Sequence, residues 1–200
     1  KWKMQYIKLA ELYKEISSTT KRLEKTKILS KFLQLLSDKD KEVLYLLLGD
    51  IYPEYDERRI GISNQLTIKA ISRATGTDTK KIIHEWKSIG DLGQVAEKLI
   101  LNKKQSTLIS HVLTTEKVLE NLKKLPELEG KGTVDKKIFL ITELLTSAKP
   151  IEALYLIRTL IGDLRIGIQE STIREAIGLA FFKNDENSSE IVQRAIDKAN

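Results

Sequence analysis

Apolar residues recur every three or four positions along most of this 200-residue chain, whereas the alternation typical of strands is scarce. Spacing of this kind collects the apolar side chains on one face of a helix. Two such faces are Tyr6, Leu9, Tyr13 and Ile16, and then Ile28, Phe32, Leu35 and Leu36. The sequence therefore predicts an all-α fold, a compact bundle of about ten to eleven short helices.

Capping residues and glycines divide these helices. Asp40 and Asp78 are predicted N-caps, and Pro150 stands at a predicted first helical position. Glycines predict the breaks between helices, at Gly49, Gly76, Gly90, Gly93, Gly130 and Gly132. Because no linker is long or low in complexity, we expect residues 1–200 to form one domain.

One arrangement occurs twice. Residues 27–46 align with residues 137–156 at a constant separation, and the tetrapeptide Arg-Ile-Gly-Ile follows at 59–62 and at 165–168. Each copy has the pattern of two helices, a glycine break, this tetrapeptide and a further helix. We expect two halves, about 17–75 and 127–181, related by a pseudo-twofold axis.

The two tetrapeptides are candidate phosphate-binding loops. Each supplies an arginine and precedes a predicted helix, whose first N–H groups are free and carry a partial positive charge. The residues concerned are Arg59, Gly61 and the predicted N-cap Ser63, and then Arg165, Gly167, Gln169 and the predicted N-cap Ser171. The alternative interpretation is that the glycines only permit tight turns.

Two basic helix starts add to this pattern, Thr20, Lys21 and Arg22 in the first half and Thr133, Lys136 and Lys137 in the second. The net charge of +6 favours a polyanionic partner, although a lysine-rich solvated surface produces the same balance. A pseudo-twofold pair of basic loops would suit duplex DNA, whose two backbones are themselves related by local twofold axes.

The sequence offers no catalytic site. It has no cysteines, His84 and His111 lack partners at metal spacing, and no nucleophile, base and orienting residue occur together. No segment resembles a membrane span or a signal peptide. We expect a soluble, cytoplasmic, non-catalytic chain without a metal site. Met4 as a native start, and a helical pattern that continues to the last residue, predict an N-terminal fragment of a longer protein.

Two other functional classes stay open at this point. Residues 66–86 are similar to a helix-turn-helix, whose second helix would begin with Thr79, Lys80 and Lys81 and lie in the major groove. These three side chains include none of the types that make bidentate base contacts. A helical protein-interaction module is the other alternative.

Three segments together resemble a known family. They are "IGISNQLTIKAISRATGTDTKKIIHEWKSIGDLGQVAEK" at 60–98, "DKKIFLITELL" at 135–145 and "IGDLRIGIQESTIREAIGLA" at 161–180. They resemble the N-terminal DNA-binding domain of ATP-dependent DNA ligases, especially the archaeal replicative type. The similarity extends over nearly the whole chain, from about Tyr6 to the end.

The resemblance implies a monomeric helical domain that encircles nicked double-stranded DNA through the minor groove, in replication, repair and recombination. Downstream nucleotidyltransferase and OB-fold domains would perform the sealing reaction with ATP and Mg²⁺, so this chain itself needs no cofactor. The implied DNA contacts are Thr20, Arg22, Arg59, Gly61, Ser63, Thr133, Lys137, Arg165, Gly167 and Gln169. The first half departs from the second by an insertion, residues 51–57, before its arginine.

The resemblance also implies a second partner, the sliding clamp (PCNA). Archaeal members dock the clamp through a glutamine followed by apolar residues. The matching segment "QSTLI" contains Gln105, Leu108 and Ile109 but lacks paired aromatic residues. The alternative is that Leu108 and Ile109 belong to the core.

Overall fold

The structure, a computed structural model, describes residues 4–37, 40, 42–52, 56, 58–103, 112–182, 192 and 194. Ten helices and no strands form within those residues, which confirms the all-α prediction. The helices are α1 (Tyr6–Ser17), α2 (Arg22–Leu33), α3 (Val43–Leu46), α4 (Asn64–Thr75), α5 (Thr79–Ile89), α6 (Leu92–Leu101), α7 (Thr115–Glu127), α8 (Thr133–Ser147), α9 (Pro150–Leu160) and α10 (Glu170–Phe181). None of the described helices combines the length and apolar character that crossing a membrane requires.

Helix α1 packs between α3 and α9. Its predicted apolar face is buried, and the Tyr13 hydroxyl donates a hydrogen bond to the backbone carbonyl of Leu46. The Tyr13 ring also lies 5.0 Å, centroid to centroid, from the ring of Tyr155 in α9. Because Tyr13 contacts both α3 and α9, α1 belongs to the shared core.

The predicted apolar face of α2 is confirmed in part, since Phe32 is buried and Ile28 and Leu36 pack against the core, but Leu35 does not. The helix ends at Leu33, so Leu35 and Leu36 follow it outside the helical register, and Leu35 is 81% exposed. The buried residues of the helix are Lys25, Thr26, Leu29, Ser30, Phe32 and Leu33. A lysine therefore lies on the buried side of this helix.

Three of the five predicted helix starts, at Ser63, Asp78 and Pro150, are confirmed, and two, at Asp40 and Ser171, are wrong. The Asp78 carboxylate accepts a hydrogen bond from the backbone N–H of Lys80, and Pro150 is the first residue of α9. Asp40 does not cap α3; its carboxylate accepts from the N–H of Ser37 instead. Helix α10 begins one residue before Ser171, after Gln169, which makes no side-chain capping bond.

The Gly-Asp turn of each half has the same backbone pattern. The N–H of Gly49 bonds to the carbonyl three residues earlier, and the N–H of Asp50 bonds to the carbonyl five residues earlier. Gly162 and Asp163 repeat both bonds. These bonds satisfy the last carbonyls of the preceding helix, so the predicted glycine breaks are confirmed here.

Gly93, in contrast, is not a break but lies inside α6. A Cβ atom at this position would lie 2.7 Å from the Leu154 carbonyl oxygen of α9, closer than atoms in proteins approach. Helices α6 and α9 therefore pack with their backbones in near contact.

The helices that flank the repeated tetrapeptides pair across the two halves. Helix α2 packs against α10, and α4 packs against α8. A pseudo-twofold relationship predicts such a reciprocal exchange, and the symmetry itself stays a prediction. The buried positions of α2 and α8 match best when the sequence alignment is shifted by two residues, so that Lys25 corresponds to Lys137.

Candidate nucleic-acid interface

The second tetrapeptide forms a turn between α9 and α10 with a left-handed arginine. Arg165 has a φ of 56°, which residues other than glycine rarely adopt. Its Nε donates to the Asp163 carboxylate at 2.6 Å, and its Nη2 donates to the Gly90 carbonyl at 3.2 Å. The guanidinium is thus held at the turn between α5 and α6 while 43% of the side chain stays exposed.

Lys25 of α2 supports this turn from beneath. Its Nζ donates to the carbonyls of Ile166 at 2.7 Å and Gly167 at 2.9 Å, and the residue is only 7% exposed. A Cβ atom on Gly167 would lie 2.7 Å from that Nζ, and Gly167 has a φ of 62°. Glycine suits this position because of its left-handed backbone, and a Cβ atom there would require the ammonium group to shift.

A buried ion pair lies next to Arg165. The Asp91 carboxylate caps α6 by accepting from the N–H of Gly93, and it accepts from Arg158 at 2.6 Å and 3.1 Å. Burial is the largest single influence and raises the pKa of Asp91, but the hydrogen bonds and charge of Arg158, the N–H of Gln94 and the charge of Arg165 together lower that pKa below its ordinary value. Because Arg165 Nη1 is 3.6 Å from the same carboxylate, Asp91 links this pair to the loop.

Mostly local contacts hold the arginine of the first tetrapeptide. Arg59 Nη1 donates to the backbone carbonyls of Asp56 and Arg58. Arg58 in turn bonds to the Asp56 carboxylate, and this hydrogen bond lowers the pKa of Asp56 to about 2. The Arg58 guanidinium also lies 4.0 Å above the ring of Tyr52.

The glycine of the first tetrapeptide has open space around it. Gly61 has a φ of 54°, but a Cβ atom there would meet only the Arg59 carbonyl, at 3.7 Å. The helix after it is capped as predicted, because the Ser63 hydroxyl accepts from the N–H of Leu66. The first loop therefore shares the left-handed glycine of the second, but it lacks the left-handed arginine and the buried lysine.

The two basic helix starts face the opposite halves. Arg22 pairs with Glu175 of α10, beside the second loop, at 2.5 Å and 3.2 Å, and Thr20 is exposed just before it. The start of α8 is likewise joined to α4 by the ion pair of Asp135 with Arg73, at 3.3 Å.

Two predicted contact residues lie near that second start. The Thr133 hydroxyl donates to the Gly130 carbonyl, and Lys137 is half-buried. Together with the cross-half pairing, this arrangement brings each helix start to the helix that follows the other half's loop. From the sequence, each basic helix start was expected to act with the loop of its own half.

The sequence did not predict three residues of this site, Lys25, Arg158 and Asp91. Lys25 stands at helical spacing from Leu29 and Phe32, so a lysine inside an apolar stripe was the available signal. Arg158 is similarly the only charged residue in the C-terminal half of α9. Asp91 gave only the signal of an N-cap.

The remaining sequence predictions concern residues away from the two tetrapeptide loops. The proposed clamp residues Gln105, Leu108 and Ile109, and also His111, lie outside the described residues, so the clamp site stays a prediction. His84 is exposed on α5. The helical hairpin of α4 and α5 does form, with Gly76 in the left-handed conformation between them. No cluster of three or more acidic, histidine or cysteine side chains that could hold a metal occurs in the part of the chain that the structure describes.

Comparisons with known proteins match this chain to DNA ligases. The family described as "DNA ligase N terminus" matches residues 5–178. A DNA ligase of Methanosphaera stadtmanae is 43% identical over 194 residues, which cover 95% of this chain and 34% of that protein. A DNA ligase of Thermococcus onnurineus is 36% identical over 96% of this chain and 34% of its own length. The chain thus spans about a third of the length of the curated relatives it matches.

Proposed function

This chain belongs to the family of DNA ligase N-terminal regions, and we propose that it binds nicked duplex DNA through the minor groove without sequence preference. The observation that carries the proposal is the pair of matching loops. Each joins an arginine, a left-handed glycine and the N-terminus of a twelve-residue helix. Arginines and backbone amides bind phosphates and position a protein on DNA, but they do not read bases.

The longer protein would use this region to hold DNA during catalysis. We propose that other domains of it join a 5′-phosphate to a 3′-hydroxyl with ATP and Mg²⁺, and that the sliding clamp is a further partner. The relatives are named DNA ligases, and about two thirds of their length lies outside the matched region, which leaves room for such domains.

A salt titration of this chain with nicked duplex DNA tests the proposal. If roughly six phosphates are neutralised, log affinity falls against log salt concentration with a slope near −5. The slope should be the same for two unrelated duplex sequences of equal length. A flat salt dependence would favour the helical protein-interaction module, and a strong preference for one sequence would favour the helix-turn-helix alternative.

A further inference from the structure

Lys25 is an unusual residue for the buried side of a helix. A buried ammonium group is unfavourable unless hydrogen-bonded, and here it donates to two carbonyls of the second loop. Among the described residues, no carboxylate lies within ion-pair distance of Nζ. The positive charge beneath the loop is therefore not neutralised by a neighbouring acid.

The orientation of these two carbonyls also fixes the orientation of two backbone N–H groups. In a planar trans peptide, the carbonyl and the N–H of the following residue point in opposite directions. Because the carbonyls of Ile166 and Gly167 point at Lys25, the N–H groups of Gly167 and Ile168 point away from it, on the exposed side of the loop. Neither N–H donates to an acceptor within the described part of the chain.

We propose that Lys25 is a positioning residue that turns the N–H groups of Gly167 and Ile168 outward to bind one DNA phosphate. Two successive N–H groups in a turn form a concave anion site. The ammonium group acts through the loop, not by contact with DNA, and its charge adds attraction from the opposite side of the peptide planes. This inference rests on the proposed function, since the phosphate is that of the bound duplex.

The substitution Lys25→Met tests this role, because methionine preserves the aliphatic stem and removes the ammonium group. Its matched control is Lys27→Met, which removes the same charge from an exposed position of the same helix. We expect Lys25→Met to weaken binding of nicked duplex by about tenfold or more, the change that loss of a charged hydrogen bond produces. Lys27→Met should weaken it by less than about threefold.

The salt slope separates positioning from direct contact. A lysine that contacts a phosphate contributes about 0.9 to the slope, so its removal makes the slope shallower by that amount. Lys25→Met should leave the slope within about 0.3 of the parent value despite its lower affinity. A slope shallower by about 0.9 would overturn the proposal by showing that Lys25 itself meets a phosphate.

The amide NMR signals of Gly167 and Ile168 give a readout that a loss of global stability would not produce. In the parent, both protons should shift downfield when nicked duplex is added. In folded Lys25→Met, neither should do so at saturating DNA, while the signals of the first loop still respond. Equal downfield shifts in both proteins would overturn the proposal.

The free protein separates this inference from the proposed function. Even if the parent fails to bind DNA, the free amide signals of Gly167 and Ile168 should move in Lys25→Met and stay in place in Lys27→Met. Binding by the parent together with unchanged free amide signals in Lys25→Met would overturn the positioning role alone. A Lys25→Met protein that does not fold is replaced by Lys25→Gln, whose uncharged amide NH2 can still donate hydrogen bonds and should show the same shifts at smaller amplitude.

Discussion

The two tetrapeptide loops share a left-handed glycine, but only the second also has a left-handed arginine, and different parts of the molecule support them. Gly61 and Gly167 have φ values of 54° and 62°. Long-range bonds hold the second loop, from Lys25 of α2 and from Arg165 to Gly90. The arginine of the first is held by its own hydrogen bonds to the carbonyls of Asp56 and Arg58. The same local sequence thus gives a left-handed glycine twice, whereas long-range hydrogen bonds to the loop backbone and from its arginine are found, among the described residues, in the second loop.

The difference follows from the helices beneath the loops. Lys137 occupies in α8 the register position of Lys25 in α2, but it is half-buried and makes no hydrogen bond to the first loop among the described residues. A loop already fixed in place loses less conformational entropy when it binds. We therefore expect the second loop to contribute more to DNA affinity than the first.

The largest effect is expected from removing the carboxylate charge of Asp91, which pairs with Arg158 and lies near Arg165 of the second loop. Asp91→Asn leaves Arg158 buried without its counter-ion, and loss of one partner of a buried pair costs about 3–5 kcal/mol. We expect the free energy of unfolding, measured with urea, to fall by that amount. Asp163→Asn is the control, since its pair with Arg165 is exposed and should change stability by less than about 1 kcal/mol.

The pH dependence should identify the same carboxylate. Because the pKa of Asp91 is lower in the folded state than in the unfolded state, its contribution is fully present above the ordinary carboxyl range and is lost as the pH falls below about 4. The parent should therefore lose more stability than Asp91→Asn between neutral pH and acid. Parallel pH profiles for the two proteins would show that Asp91 is not the titrating group.

The glycines permit a sharper and smaller comparison. Gly61→Ala and Gly167→Ala both place a Cβ in the left-handed region, which costs about 1–2 kcal/mol. Only Gly167→Ala also brings that Cβ against the Lys25 ammonium, so it should destabilise the protein more and weaken DNA binding further. Gly132→Ala is the control for strain alone, since its Cβ would meet nothing within 4 Å. Equal effects at Gly61 and Gly167 would mean that the lysine moves aside without consequence.

The sequence predicted the helices and both loops because these features depend on local spacing. The buried face of α1, the Ser63 and Asp78 caps and the Gly-Asp turns are all encoded within a few residues of their positions. The interior role of Gly93 depends on α9, which no local pattern reveals. The support from Lys25 likewise requires α2 to pack against a loop about 140 residues away. Pairing across the halves was therefore the part that sequence spacing could not supply.

The smallest predicted effect is the one that separates contact from turn formation in each loop. Arg59→Ala and Arg165→Ala should each remove about one phosphate contact and make the salt slope shallower by roughly 0.9. Arg165→Ala should also reduce affinity at low salt more than Arg59→Ala, because the guanidinium of Arg165 is already oriented by Asp163 and Gly90. Lys14→Ala, at an exposed lysine of α1 outside both loops and both basic helix starts, controls for loss of charge alone and should change the slope little. If both loop variants bind nicked DNA with the slope of the parent, the arginines make no phosphate contact, and the repeated tetrapeptide would then reflect duplication of a turn and not of a binding site.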